Sequence, residues 1–273
     1  MGAIITLTTD FGLSDAYVAT MKGVILSINP EVRLVDICHT IKPHNIRQAA
    51  FILGTAYQFF PEETIHIIVV DPGVGTERKA VILRTPAAYF LAPDNGVLTS
   101  VLRDYSAIPG DDASVKKAEL GTVLQAVAIT RPEYWRSPVS STFHGRDIFA
   151  PVAARLSSGV PFMEFGETIT TLETLTYLKP YQGQDGWLVG HIVHIDGFGN
   201  LITNIREDDL PPVTQEITFE IGNQIVRGLS RTYAEEEGLL ALIGSSGYLE
   251  ISLKEGSAGD FINAEVGNCV KVR

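Results

Sequence analysis

Cysteine is almost absent: Cys38 and Cys269 are the only two in 273 residues, which excludes a disulfide framework and a cysteine-built metal site. Two packing thiols suit a reducing compartment, so a cytoplasmic protein is expected. The sequence also lacks a basic leader followed by an apolar stretch, and any apolar run near the ~20 residues of a membrane span. Neither secretion by that route nor membrane insertion is expected. Positive charge is scarce. With 21 Lys and Arg against 32 Asp and Glu, the net charge is −11, and nucleic acids and other polyphosphates need the clustered cations that are missing here. A neutral or cationic small molecule suits the chain better as a partner. The six histidines (His39, His44, His66, His144, His191, His194) show no recognised zinc spacing, since His191 and His194 lie three apart on a strand and face opposite ways. No metal is expected, and there is no internal repeat or low-complexity tract.

What is present is 45% hydrophobic content, enough for a sizeable core without staples, over a length comfortable for two domains. Up to about residue 166, apolar strands alternate with helical segments. Strands are expected at 3–8, 32–37, 65–70, 80–83, 89–92 and 124–129, which predicts an α/β domain with parallel strands. Helical spacing at Tyr17, Met21, Val24, Ile25 and Ile28 predicts a helix after the first strand, and a second helix at 46–59 is stopped by Pro61. Residues 167–186, Thr-rich and then Gly/Gln-rich, read as a linker. Short strands with turns follow at 188–195, 201–205, 216–221, 224–229, 239–243, 248–253 and 268–272, with no long helix, the pattern of a small antiparallel β-barrel or sandwich. The expected division is an N-terminal α/β sheet domain at 1–170, a linker at 171–187 and a smaller C-terminal antiparallel β-barrel domain at 188–273.

Three segments carry candidate chemistry in the first part. Residues 64–79 read TIHIIVVDPGVGTERK: a buried strand delivers Asp71 to its carboxyl end, where open α/β sheets bind ligands. Arg78 can fold back onto that carboxylate, making either an active-site rim or a structural clip. The first strand ends in Thr9-Asp10-Phe11-Gly12, and Asp10, in a strand-to-helix loop, can accept both hydroxyls of a ribose or cap the helix. The glycine fingerprint of dinucleotide folds is absent. Residues 141–147 read STFHGRD, with Asp147 an expected helix N-cap and His144 on a loop where it could orient a water or take a proton. In the second part, Asp196-Gly197-Phe198-Gly199-Asn200 reads as a turn, or as a purine site with Asn200 at the base edge and Phe198 as a stacking face. Gly244-Ser245-Ser246-Gly247 reads as a turn or a carboxylate-binding loop.

Together with Pro93-Asp94-Asn95-Gly96 and the run from Ser245 to Ile251, these segments stand in the order and approximate spacing found in a known family. The chain resembles, over nearly its whole length, the S-adenosyl-L-methionine (SAM) hydroxide adenosyltransferases, relatives of the SAM-dependent fluorinase and chlorinase. Six ordered motifs are far more specific than any one of them. The resemblance implies an α/β N-terminal domain with a β-barrel C-terminal domain, and hydrolysis of SAM to adenosine and L-methionine by water or hydroxide attacking ribose C5′. It implies that Asp71, Arg78 and His144 position and activate the water and that Asp10 holds the ribose. Asn200, with backbone near Leu253 and Glu255, would bind adenine, with Phe198 stacking on it. Asp196 and Ser245 would hold the methionine end, and Phe11, Asn95 and Ser246 complete the expected substrate-binding set. It further implies a homotrimer with sites at subunit interfaces, and no cofactor. Two rival functions are a SAM-dependent halogenase, disfavoured because a carboxylate beside the halide would repel it, and a sensor that binds SAM without turnover.

Overall fold

Apolar runs punctuated by turn residues frame a first unit, residues 1–176, and a second, residues 177–273. The computed structural model describes residues 2–105, 116–176, 179–211, 217–235 and 237–273. In the first unit the strands are β1 (Ile4–Thr9), β2 (Arg33–Cys38), β3 (Thr64–Val69), β4 (Ala80–Arg84), β5 (Ala88–Pro93), β6 (Lys117–Glu119), β7 (Gln125–Ile129), β8 (Gly166–Ile169) and β9 (Thr171–Glu173). Seven of them form one sheet in the order β2-β1-β3-β5-β4-β7-β8, and β6 pairs with β9.

Strands β2, β1, β3 and β5 are parallel, as the sequence predicts, but β4, β7 and β8 are antiparallel to their neighbours. The expectation of parallel strands is corrected for that half. Only Thr85, Pro86 and Ala87 separate β4 from β5, too few for a crossover, so the chain must reverse. The stretch expected as a linker is regular in its first part. Its β8 extends the main sheet, and its β9 is anchored by Leu172, buried at 1% exposure.

Helices α1 (Tyr17–Ile28), α2 (Ile46–Ala56), α3 (Thr99–Asp104) and α4 (Ala150–Ser157) cover both faces. Strand β3 is therefore buried along its whole length. Ile65, Ile67 and Val69 share a core with Met21, Ile25, Phe149 and Val152, while Ile68 and Val70 share the opposite one with Leu53, Phe90, Val101 and Leu102. Asn45 starts α2 by accepting the Gln48 N–H at 3.0 Å, and a single 3₁₀ turn, Tyr57–Phe59, ends the helical run just ahead of Pro61.

The second unit contains β10 (Tyr181–Gln182), β11 (Leu188–Ile195), β12 (Leu201–Arg206), β13 (Thr218–Ile221), β14 (Gln224–Arg227), β15 (Leu239–Ile243), β16 (Tyr248–Leu253), the short α5 (Ala258–Ile262) and β17 (Cys269–Val272). Glu216, expected to open one of these strands, lies outside the described residues. The order is β14-β13-β17-β11-β12-β16-β15 with β10 beside β11, and every strand pair is antiparallel. A bridge between Ser230, just past β14, and Leu242 of β15 brings the two ends of the path together. The sheet is thus a nearly closed barrel around Ile192, Leu201, Phe219, Ile251 and Val270. The fold class read from the sequence holds. Among the described residues no helix is long and apolar enough to cross a membrane.

Candidate active site

Asp71 leaves the carboxyl end of β3 after a single intervening residue, and the turn that follows brings Arg78 back over it. Arg78 Nε donates to both Asp71 oxygens, at 3.0 and 2.8 Å, and Nη2 donates to Oδ2 as well. The pair is nearly dry, with 4% of the Asp71 and 10% of the Arg78 side chain exposed. Arg78 Nη2 also lies 3.0 Å from His144 Nδ1. A guanidinium has no lone pair, so Nδ1 is the acceptor, and the proton of a neutral His144 sits on Nε2. Burial first, and the adjacent Arg78 charge second, lower the His144 pKa from the ordinary 6.5, against the opposing pull of Asp71 and Asp147. The structure therefore joins the three residues that the sequence singled out for the chemistry.

Asp147 is not the N-cap expected of it. The π-helical turn Gly145–Phe149 opens at His144 without a side-chain cap, and Asp147 lies inside it, fully buried. Its carboxylate accepts two hydrogen bonds from Arg146, both at 2.7 Å, and the Ser140 N–H at 2.9 Å, and it faces Arg136 at 3.5 Å. The two arginines claim a carboxylate that sequence alone assigns to the helix end. It ties down the strap that carries His144. Gly75 lets the Asp71 turn lie against that strap: its φ is +77°, and a Cβ there would sit 2.5 Å from the Ser141 carbonyl oxygen.

Asp10 sits in the loop after β1, where Oδ2 accepts the His44 N–H at 2.8 Å. Phe11 packs edge-on to Phe143, 5.7 Å between centroids, with Tyr17 completing the aromatic cluster, so the Asp10 loop adjoins the His144 strap. Asn95, expected to touch substrate, also braces the backbone. Its Nδ2 donates to the Val70 carbonyl at 3.0 Å and its Oδ1 accepts from Val97 at 3.2 Å, holding the residue that precedes Asp71.

In the second unit, Asp196 Oδ1 accepts the N–H groups of Phe198 and Asn200, both at 2.9 Å, and its Oδ2 accepts Asn200 Nδ2 at 2.9 Å. Among the described residues, the hydrogen bonds of Asn200 to Asp196 use its N–H and Nδ2, not its Oδ1. Phe198 is 81% exposed, a bare aromatic face. Gly199, at φ +84°, lies against Ser257, and its carbonyl accepts the Gly259 N–H at 2.9 Å. This brings the 196–200 turn beside the 253–257 segment, with Leu253 partly buried and Glu255 exposed at φ +55°. Ser245 and Ser246 form the exposed tip of the β15–β16 hairpin, closed by the Gly247 N–H to the Gly244 carbonyl. Among the described residues, no group of three or more His, Cys, Asp or Glu side chains is arranged to hold a metal ion.

A family model for the SAM hydroxide adenosyltransferase N-terminal domain matches residues 5–166, and one for its C-terminal domain matches residues 190–271. The (R)-S-adenosyl-L-methionine hydrolase of Methanocaldococcus jannaschii is 34% identical over 284 residues, covering 96% of this chain and 92% of that protein. The hydrolase of the same name from Salinispora tropica is 33% identical over 270 residues, covering 98% and 97%. A fluorinase from Nocardia brasiliensis is more distant, at 28% over 305 residues, covering 99% and 96%. Among solved structures, an uncharacterized conserved protein from Thermotoga maritima superposes with a TM-score of 0.86 at 34% identity, covering 98% of this chain and 99% of that one.

Proposed function

The chain belongs to the SAM hydroxide adenosyltransferase family, and from that premise we propose that it hydrolyses S-adenosyl-L-methionine to adenosine and L-methionine. Water attacks ribose C5′; the new O–C5′ bond forms as the C5′–S bond breaks, its electron pair goes to sulfur, and one proton is released. A sulfonium departs as a neutral thioether, so the leaving group needs no acid. The barrier lies in placing a poor nucleophile in line behind C5′.

The observation that carries this reading is Arg78 bridging Asp71 and His144. Its positive charge favours hydroxide character in the bound water. Neutral His144 has its Nδ1 lone pair committed to Arg78 and a proton on Nε2, so it orients the water as a donor. The released proton goes to Asp71, the anionic member of the trio. As attack proceeds the charges of nucleophile and sulfonium cancel, which a dry pocket favours. Asp10 takes the ribose hydroxyls and Phe198 the adenine face. Asn200, with the backbone near Leu253 and Glu255, takes the base edge, and Asp196 and Ser245 take the methionine end. The working form is a cytoplasmic homotrimer with its sites at subunit interfaces, using neither cofactor nor metal.

The test is incubation of the purified protein with SAM, with and without chloride, and separation of the nucleosides by liquid chromatography with mass detection. Adenosine formed at a rate independent of halide, and lost in Asp71→Ala, is expected. SAM returned intact despite binding would make the protein a sensor, and 5′-chloroadenosine would make it a halogenase.

A further inference from the structure

A chain of polar contacts runs from the surface of α1 to the loop that carries Asp10. Lys22 Nζ donates to Asp36 Oδ2 at 2.6 Å, and Asp36 Oδ1 lies 3.0 Å from His39 Nε2, an ion-pair distance at which Nε2 makes no hydrogen bond. His39 Nδ1 lies 2.9 Å from Thr9 Oγ1, which accepts the Phe11 N–H at 3.3 Å. A carboxylate beside Nε2 places the imidazole proton there, so Nδ1 accepts the Thr9 hydroxyl and the hydroxyl oxygen receives Phe11. The His39 carbonyl also accepts the Gly12 N–H at 2.7 Å. The buried His39 imidazole, in a residue 4% exposed, therefore fastens Thr9 while the backbone carbonyl of the same residue fastens Gly12, and these two flank Asp10 and Phe11. Five residues on, the His44 N–H holds Asp10 Oδ2 from the same segment.

We propose that His39 is a positioning residue that, clamped between Thr9 and Asp36, fixes the β1 exit loop so that Asp10 presents one orientation to the ribose hydroxyls. The inference rests on the assignment of Asp10 to the ribose. A hydroxyl–imidazole–carboxylate array also resembles a nucleophile with its base, but Thr9 is fully buried and its oxygen is occupied by Phe11. It reaches no substrate, and the array serves geometry.

The test measures adenosine and 2′,3′-dideoxyadenosine affinities by calorimetry. The wild-type protein is expected to bind adenosine more tightly than the dideoxynucleoside. His39→Ala is expected to weaken adenosine about tenfold, the scale of one hydrogen bond to a charged group, while leaving the dideoxynucleoside unchanged. Adding Asp10→Ala to it should cost nothing further, because both changes remove the same grip. His39→Asn, whose amide reaches the Nδ1 position, should recover most of the adenosine affinity, whereas His39→Gln, whose amide reaches the Nε2 position, should not. Asp36→Ala, at a half-exposed position, should move the preference in the same direction without threatening the core. Preference for adenosine kept in His39→Ala or Asp36→Ala but lost in Asp10→Ala overturns the positioning role. Preference kept in Asp10→Ala itself overturns the ribose assignment instead.

Discussion

At the scale of single residues, the donor and acceptor inventory decides the roles. Arg78 offers only N–H groups, so whatever it touches must accept: Asp71 by charge, His144 by the lone pair on Nδ1. Asp71→Asn should lower kcat by about 10²–10⁴-fold with a much smaller change in KM, since proton acceptance is felt in the transition state; steady-state kinetics on SAM checks it. His144 must be neutral to accept from Arg78, and burial together with that cation lowers its pKa from 6.5. Activity is therefore present above the His144 pKa and lost as pH falls through it. The acid limb of the kcat/KM profile should lie below pH 6.5, and a limb above it would contradict the tautomer assigned here.

At the scale of elements, β3 leads into the candidate site and carries a liability. His66 is 1% exposed, stacked 5.0 Å from Phe90, with Nδ1 on Thr6 at 2.8 Å and no partner for Nε2 among the described residues. Burial pushes its pKa down to about 4. A depressed histidine pKa means that the unfolded chain takes up the proton first, so stability is whole above about pH 6.5 and is lost as pH falls toward 4. The shift corresponds to about 3 kcal/mol. Urea unfolding across that window should show this loss in the wild type but not in His66→Phe, whose other carboxylate-linked losses are the same. The turn after β3 is equally constrained. Gly75→Ala meets the Ser141 carbonyl at a positive φ and should cost about 1–3 kcal/mol in stability. It should also depress kcat, because the displaced strap carries His144; melting and kinetics measured together check both.

At the scale of the whole molecule, the proposed assembly is tested directly by size-exclusion chromatography with light scattering. A mass about three times the 29.7 kDa of one chain is expected, with adenosine formation falling as dilution drives the protein to monomers. The net charge of −11 opposes close association of copies at low ionic strength. Assembly should therefore tighten as moderate salt screens that repulsion.

The sequence by itself marked the longer strands and the change from alternating strands and helices to strands alone, but not the short β6, β8, β9 and β10. Buried strands announce themselves as apolar runs, and Asp71, Arg78 and His144 lie in ordered local motifs. It also placed Asp10 and Phe198 in turns, where the structure has them. Only the tertiary structure decided that β4, β7 and β8 run antiparallel, since strand direction is set by which neighbours pair and not by the side chains of one segment. It alone moved Asp147 from helix cap to the partner of Arg136 and Arg146, and tied the Asn95 amide to the Val70 carbonyl. His39 gave no signal in the sequence, where it is one histidine among six. Its contact spans 30 residues to Thr9, from the residue just past β2 to the end of β1. Such a role is a property of distance in space, which residue type and spacing along the chain do not encode.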